Sequence, residues 1–201
     1  LRTGLYTSPY LVQFYERIRI DGTMISNDDL THYSERVAVA CESLTLPDGE
    51  SIGEFEFTTA VAFLYFAEHG CDIVVLETGL GGRCDATNVI RAPEVCVITP
   101  VSLDHMAVLG DTVAEIAGEK AGIIKPGAEV VCADGQEEDA LAVFRHVTAA
   151  EGAVWHESTD TLRVLRCSLN GSAFVYNGQG YTIAMPGRHQ IQNASTALRA
   201  I

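Results

Sequence analysis

Two short apolar runs, each broken off by polar residues, constrain this chain more than anything else in it. Ile73-Val74-Val75-Leu76 stops at Glu77, and Val95-Cys96-Val97-Ile98 stops at Thr99-Pro100. Between them lie a glycine-rich turn, Gly79-Leu80-Gly81-Gly82, and the segment Asp85-Ala86-Thr87-Asn88; Asp104 and His105 follow the second run. Apolar runs without alternation predict strands buried on both faces, as in a parallel sheet covered by helices. In open α/β sheets the ligand lies outside the carboxyl ends of the strands. Glu77, Asp85, Asn88, Asp104 and His105 are therefore expected to face one crevice.

Composition narrows the class of partner. The chain has 201 residues, 47% hydrophobic and 20% charged, which fits a globular protein with one domain, or one domain and part of another. A net charge of −14 argues against nucleic acid and against an anionic membrane surface. Small anions remain open, because a few local cations or a metal ion outweigh the average. No apolar stretch reaches the roughly 18 residues of a membrane span, and no signal peptide is visible. Six cysteines form no C-x-x-C pair, and Cys96 and Cys132 sit in strand-like runs as small buried hydrophobes. Reduced thiols in a cytoplasmic protein are the expectation. The chain opens on Leu1-Arg2-Thr3-Gly4-Leu5-Tyr6, without Met, which reads as a strand in progress with an N-terminal part missing.

The order of elements is legible from caps and turns. Residues 2–8 read as a strand closed by Thr7-Ser8-Pro9, and 16–20 as a half-exposed strand before Asp21-Gly22. Ser26, with Asp29 at the reciprocal position, starts a helix expected to run to about residue 44. A largely apolar helix follows over about 55–69. After the two central strands, Asp111-Thr112-Val113-Ala114-Glu115 starts a helix that Pro126-Gly127 closes; 128–132 reads as a strand and 136–150 as an amphipathic helix. Over 152–185 the pattern changes to short strands (163–168, 172–176, 180–184) with Asn170-Gly171 and Asn177-Gly178 as hairpin turns. A helix from Gln190 runs to the chain end. The fold class is α/β: a mainly parallel sheet flanked by helices, with a small antiparallel meander near the C-terminus.

Several blocks, in order, carry a resemblance: Thr3-Gly4-Leu5-Tyr6-Thr7-Ser8-Pro9-Tyr10-Leu11, Glu16-Arg17-Ile18-Arg19-Ile20, Glu77-Thr78-Gly79-Leu80-Gly81-Gly82-Arg83, Asp85-Ala86-Thr87-Asn88-Val89, Leu103-Asp104-His105, Leu109-Gly110-Asp111-Thr112, Glu119-Lys120-Ala121-Gly122-Ile123 and Pro186-Gly187-Arg188-His189-Gln190. Together they resemble the folylpolyglutamate synthase / dihydrofolate synthase family of Mur-ligase-like, ATP-dependent amide ligases, whose central fold is related to P-loop NTPases. The resemblance implies that ATP phosphorylates a carboxylate of dihydropteroate or of a folate glutamate tail. The amine of L-glutamate then attacks the acyl phosphate. The implied partners are these small molecules alone, with no nucleic acid and no membrane, and the full-length protein is expected to be a monomer.

The resemblance also assigns residues. Glu77, His105 and Lys120, the last as a carbamate, correspond to Mg²⁺ ligands and the catalytic centre. A carboxylate suits Mg²⁺, and a neutral, buried lysine is the form that reacts with CO₂. The bland alternatives are a capping carboxylate at Glu77, a structural histidine at His105 and a lysine paired with Glu115 or Glu119. Asp104 could orient His105 or cap the next segment. Ser8, Pro9 and Tyr10 fall in the loop that approaches the pterin, with Tyr10 in place of a histidine. Arg83, Asp85 and Asn88 fall near substrate, although Asp and Asn also serve turns. Arg188, Gln190 and Asn193 lie towards the adenine nucleotide.

Two departures stand out. The family's phosphate loop, with Gly-Lys-Gly-Ser, is expected before Leu1, and its C-terminal glutamate-ligase domain after Ile201. Residues 1–201 by themselves are accordingly predicted to be an ATP-binding domain that is catalytically inactive alone. The rivals are a Mur-type peptidoglycan amino-acid ligase, opposed by the Ser-Pro-Tyr-Leu and Glu-Arg-Ile-Arg-Ile blocks, and a non-catalytic binding module, opposed by intact Glu77, His105 and Lys120.

Overall fold

In the computed structural model, which describes residues 1–158 and 161–201, the chain divides between Val89 and Ile90. In the first unit, strand β1 (Thr3–Tyr6) lies between β2 (Ile18–Ile20), antiparallel to it, and β4 (Ile73–Leu76), parallel to it. Strand β3 (Thr23–Met24) completes the order β3-β2-β1-β4. Asp21 and Gly22 both have positive φ (49° and 79°), the backbone that a tight hairpin turn demands. This turn brings Thr23 back into a strand that the sequence pattern alone does not mark.

Helix α1 (Asn27–Glu42) starts as its cap residues predict: the Ser26 hydroxyl accepts from the Asp29 N–H at 3.0 Å and donates to the Asp29 carboxylate at 2.8 Å. Helix α2 (Glu54–Glu68) packs Val61, Ala62, Tyr65 and Phe66 against Tyr6, Ile18 and Ile20 of the sheet and Tyr33 and Val37 of α1. A Cβ on Gly4 would stand 2.9 Å from the Phe66 ring, so glycine sets how closely β1 approaches α2. The Thr59 hydroxyl donates to the buried Tyr6 hydroxyl at 3.1 Å. A two-pronged Arg36–Glu68 pair, at 2.7 and 2.6 Å, ties α1 to α2.

The expectation that β4 is buried on both faces is corrected. Val74 and Leu76 pack into the core, while Ile73 and Val75 are 43% and 52% exposed. The two helices of this unit cover one face of the sheet, so an unbroken apolar run reports composition but not coverage.

In the second unit, β5 (Val95–Ile98), β6 (Glu129–Cys132) and β7 (Val154–His156) form a parallel sheet in that order. Helix α3 (Met106–Leu109) is a single turn, and α4 (Val113–Lys120) continues into a 3-10 turn at Ala121–Ile123. With α5 (Glu138–Ala150) they enclose a core of Cys96, Ile98, Ile116, Ala117, Val130 and Phe144. All six cysteines are free thiols, and burial pushes the Cys132 thiol up to about 12.

The antiparallel meander consists of β8 (Leu162–Ser168), β9 (Gly171–Tyr176) and β10 (Gln179–Ile183), with β9 in the middle. It starts later than residue 152, because β7 joins the parallel sheet instead. Helix α6 (Arg188–Ala200) buries Ile191 against Phe174 and Tyr176. Near its end Arg199 donates to the Cys132 carbonyl at 2.8 Å, Ser158 at 2.7 Å and Asp134 at 3.1 Å. Among the described residues, no helix is long and apolar enough to cross a membrane.

Two measurements check this account. Phe144 has no exposed surface, so Phe144→Ala should cost about 3–5 kcal/mol in urea unfolding. Among the described residues, three carboxyls lie below their ordinary value of 4.5: Glu16 through backbone N–H donors, Glu68 through Arg36, and Glu115 through N–H and hydroxyl donors at the α4 start. A lowered folded-state pKa means that the native state binds fewer protons. The stability it contributes is complete above pH 4.5 and is lost as pH falls below that value. Melting temperature should therefore drop on acidification, and less so in Arg36→Met, which removes the cause at Glu68.

Candidate functional site

The strand ends deliver the polar residues, and each unit holds part of the set. Ser8, Pro9, Tyr10, Glu77, Arg83, Asp85 and Asn88 belong to the first unit. His105, Lys120, Arg188, Gln190 and Asn193 belong to the second.

In the first unit, the chain leaves β1 through a cis Ser8–Pro9 peptide, and the Ser8 N–H donates to Glu77 Oε2 at 2.8 Å. Glu77, just past β4, thus meets the loop that follows the neighbouring parallel strand. Farther along this loop the Glu16 carboxylate accepts from the N–H groups of Leu11, Val12 and Gln13 at 3.1, 3.1 and 2.9 Å. The Tyr10 ring meets Phe14 edge-on with centroids 6.0 Å apart, and the Arg17 guanidinium carbon is 5.5 Å from both rings.

Asp85 organises the glycine-rich turn. Its Oδ2 accepts from Gly79 and Leu80 N–H at 2.8 and 2.9 Å, and its Oδ1 from the N–H and hydroxyl of Thr87 at 3.0 and 2.5 Å. The Asn88 amide donates to the Arg83 carbonyl at 2.9 Å. The turn runs close to α2: a Cβ on Gly79 would stand 2.6 Å from the Phe55 ring. These bonds of Asp85 and Asn88 shape the loop, and Arg83 is exposed on it.

In the second unit, His105 has φ 52° and ψ 34°, the left-handed region that a side chain with a Cβ seldom occupies. Its N–H donates to Asp104 Oδ1 at 2.8 Å, while its Nε2 is 3.8 Å from Asp104 Oδ2. Asp104 therefore fixes the backbone of His105, and the ring is not hydrogen-bonded to it. Strained backbone of this kind collects at functional sites.

Lys120 is the last residue of α4 and is half-buried. Glu115, one of its suggested partners, instead accepts from Asp111 and Thr112 N–H at 2.8 and 3.0 Å and caps the helix start. Gln190 and Asn193 meet in the first turns of α6 at 3.4 Å, and Arg188, its first residue, is exposed. Sequence reasoning missed Gln136, which accepts from Val101 N–H and donates to the Thr99 carbonyl, both at 2.9 Å, holding the exit of β5. No spacing signal marks it.

Among the described residues, no group of three or more His, Cys, Asp or Glu side chains is gathered as a metal site. Mg²⁺ takes one or two protein carboxylates and completes its shell with waters and phosphate oxygens. Glu77 fits that role: its Ser8 contact uses one oxygen and leaves coordination capacity on the carboxylate.

Residues 52–201 match the family model described as the Mur ligase middle domain. A dihydrofolate synthase/folylpolyglutamate synthase of Bacillus subtilis is 40% identical over 98% of this chain and 47% of its own length. The folylpolyglutamate synthase of Lacticaseibacillus casei is 38% identical over 99% of this chain and 48% of its own. Among solved structures, an FPGS–AMPPCP–folate complex aligns at TM-score 0.89 and 38% identity, covering 100% of this chain and 50% of that one. Mycobacterium tuberculosis folylpolyglutamate synthase with ADP and AMPPCP aligns at 0.84 and 37%, covering 99% and 48%. The chain belongs to the Mur ligase middle-domain family. Within that family its likeness is to the folylpolyglutamate and dihydrofolate synthases, and it spans about half the length of these relatives.

Removing the Asp85 carboxylate should release the glycine-rich turn without unfolding the unit. In Asp85→Ala the Gly79 and Leu80 amides should exchange at least about tenfold faster than in the parent, while α2 amides keep their protection.

Proposed function

We propose that residues 1–201 form the ATP-using catalytic domain of a carboxylate–amine ligase. It adds L-glutamate to folates, to dihydropteroate, or to both. The observation that carries this reading is the likeness to folylpolyglutamate synthases over essentially the whole chain, including an FPGS–AMPPCP–folate complex. The acceptor carboxylate attacks the γ-phosphorus of ATP, ADP leaves, and an acyl phosphate forms. The glutamate amine then adds to the acyl carbon, phosphate departs and an amide remains.

In this reading Glu77 is a Mg²⁺ ligand in the first unit; in the second, His105 is a Mg²⁺ ligand and Lys120, carried as a carbamate, binds a second Mg²⁺. Such ions, when bound, neutralise phosphate charge and keep the reacting groups in line. The half-buried placement of Lys120 on a helix end and the strained backbone of His105 support their roles. Ser8, Pro9 and Tyr10 meet the acceptor, with the Tyr10 ring offering a stacking face. Asp85 and Asn88 hold the loop that presents Arg83 to anionic groups. Arg188, Gln190 and Asn193 face the nucleotide. The protein works as a cytoplasmic monomer on small molecules alone, without nucleic acid or membrane.

ADP release by the full-length protein tests this directly, with ATP, Mg²⁺ and L-glutamate and either dihydropteroate or tetrahydrofolate as acceptor. Turnover is expected with at least one acceptor. Its absence in a folded protein that binds ATP would point to another Mur-type substrate or to a binding role. Lys120→Ala should lower kcat by at least about 100-fold, as loss of a group acting in the transition state does. Carbon-13 bicarbonate should give a carbamate resonance that disappears in Lys120→Arg.

A further inference from the structure

The loop after β1 carries an apolar tip that faces solvent on a pinned backbone. Tyr10, Leu11 and Val12 are 44%, 90% and 85% exposed. A flexible tip of this composition would lower its free energy by folding onto the nearest apolar surface. Three successive N–H groups prevent that, because Leu11, Val12 and Gln13 all donate to the single carboxylate of Glu16. Glu16 is itself half-buried within the 3-10 turn Phe14–Arg17, which runs directly into β2. The next residue holds the ring: Arg17 stands over both Tyr10 and Phe14, and its Nε is buried with no hydrogen-bond partner among the described residues. Backbone and ring of the tip are thus fixed by neighbouring residues on one short turn.

We propose that Glu16 is a positioning residue for acceptor binding. By gathering the amides of Leu11, Val12 and Gln13, it presents Tyr10 and Leu11 as a preformed apolar ledge for a planar heteroaromatic acceptor. This rests on the ligase reading above and adds to it a residue that touches no substrate. Preorganisation lowers the ordering cost of binding. Its loss should therefore appear in the KM of the acceptor that uses the ledge and leave that of ATP in place. The charge-assisted character of the three bonds, which also holds the Glu16 carboxyl below its usual value, makes a neutral side chain a poor substitute. In Glu16→Gln one oxygen still accepts, but the amide NH₂ replaces the other.

The test compares the full-length protein with Glu16→Gln and Glu16→Ala. Readouts are KM for tetrahydrofolate, KM for ATP, and amide exchange at residues 11–13. Glu16→Ala should raise the acceptor KM roughly tenfold and Glu16→Gln about threefold, with KM for ATP within about twofold. Exchange should accelerate at Leu11, Val12 and Gln13 while α2 stays protected. If the three amides loosen and the acceptor KM does not move, the inference is overturned. The same holds if both KM values rise together, which marks general destabilisation. Should Glu16→Ala fail to fold, Glu16→Gln decides by the same criteria. A parent protein that turns over no pteridine acceptor would instead sink the ligase reading.

Discussion

A backbone that leaves a strand takes its N–H groups away from the ladder, and each must find another acceptor or remain in water. In this protein carboxylates supply that acceptor again and again. Asp72 accepts from Arg2 and Asp21 from Thr3 at the start of β1; Glu77 accepts from Ser8 and Glu16 from three residues beyond its end. Asp85 shapes the glycine-rich turn, Asp104 fixes His105, and Glu115 closes the start of α4. The excess of acidic residues behind the net charge of −14 is thus partly structural. Those carboxylates build the loops at the strand ends.

This structural use explains what was legible. Asp, Asn and Gly near a strand end announce a turn whether or not a ligand comes there, and residue type alone leaves both readings open. For Asp85 the structure displays the turn chemistry in full. For His105 it displays what no pattern foretells, a left-handed backbone at a residue with a Cβ. The Ser26 cap and the strands at 73–76 and 95–98 were legible because their signals are local. β3 and α3, of two and four residues, are too short to have a period. The partnership of β7 with β6, the open face of β4 and the bonds of Gln136 depend on residues distant in sequence, which neither periodicity nor composition encodes.

The family resemblance added what local chemistry could not. Lys120 is one lysine on one helix, and only its neighbours Glu119, Ala121 and Gly122 make it a candidate for carbamylation. The Mur ligase middle-domain match over residues 52–201 covers Glu77, His105 and Lys120 but begins after Glu16 and Tyr10. The likeness to folylpolyglutamate synthases, in contrast, extends over 98% or more of the chain in the first relatives. The β1 loop therefore lies outside the residues that the middle-domain model matches and inside those that align with the folylpolyglutamate synthases.

The distribution of thiols has a practical consequence. Cys96 and Cys132 are buried, Cys41 and Cys71 are half-buried, and Cys84 and Cys167 are exposed. Since the thiolate is the reactive form and burial suppresses it, a maleimide reaches Cys84 and Cys167 first. One lies in the first unit and the other in the second. Residues 1–201 thus carry one readily labelled thiol in each unit, so a spectroscopic probe can report on each unit by itself.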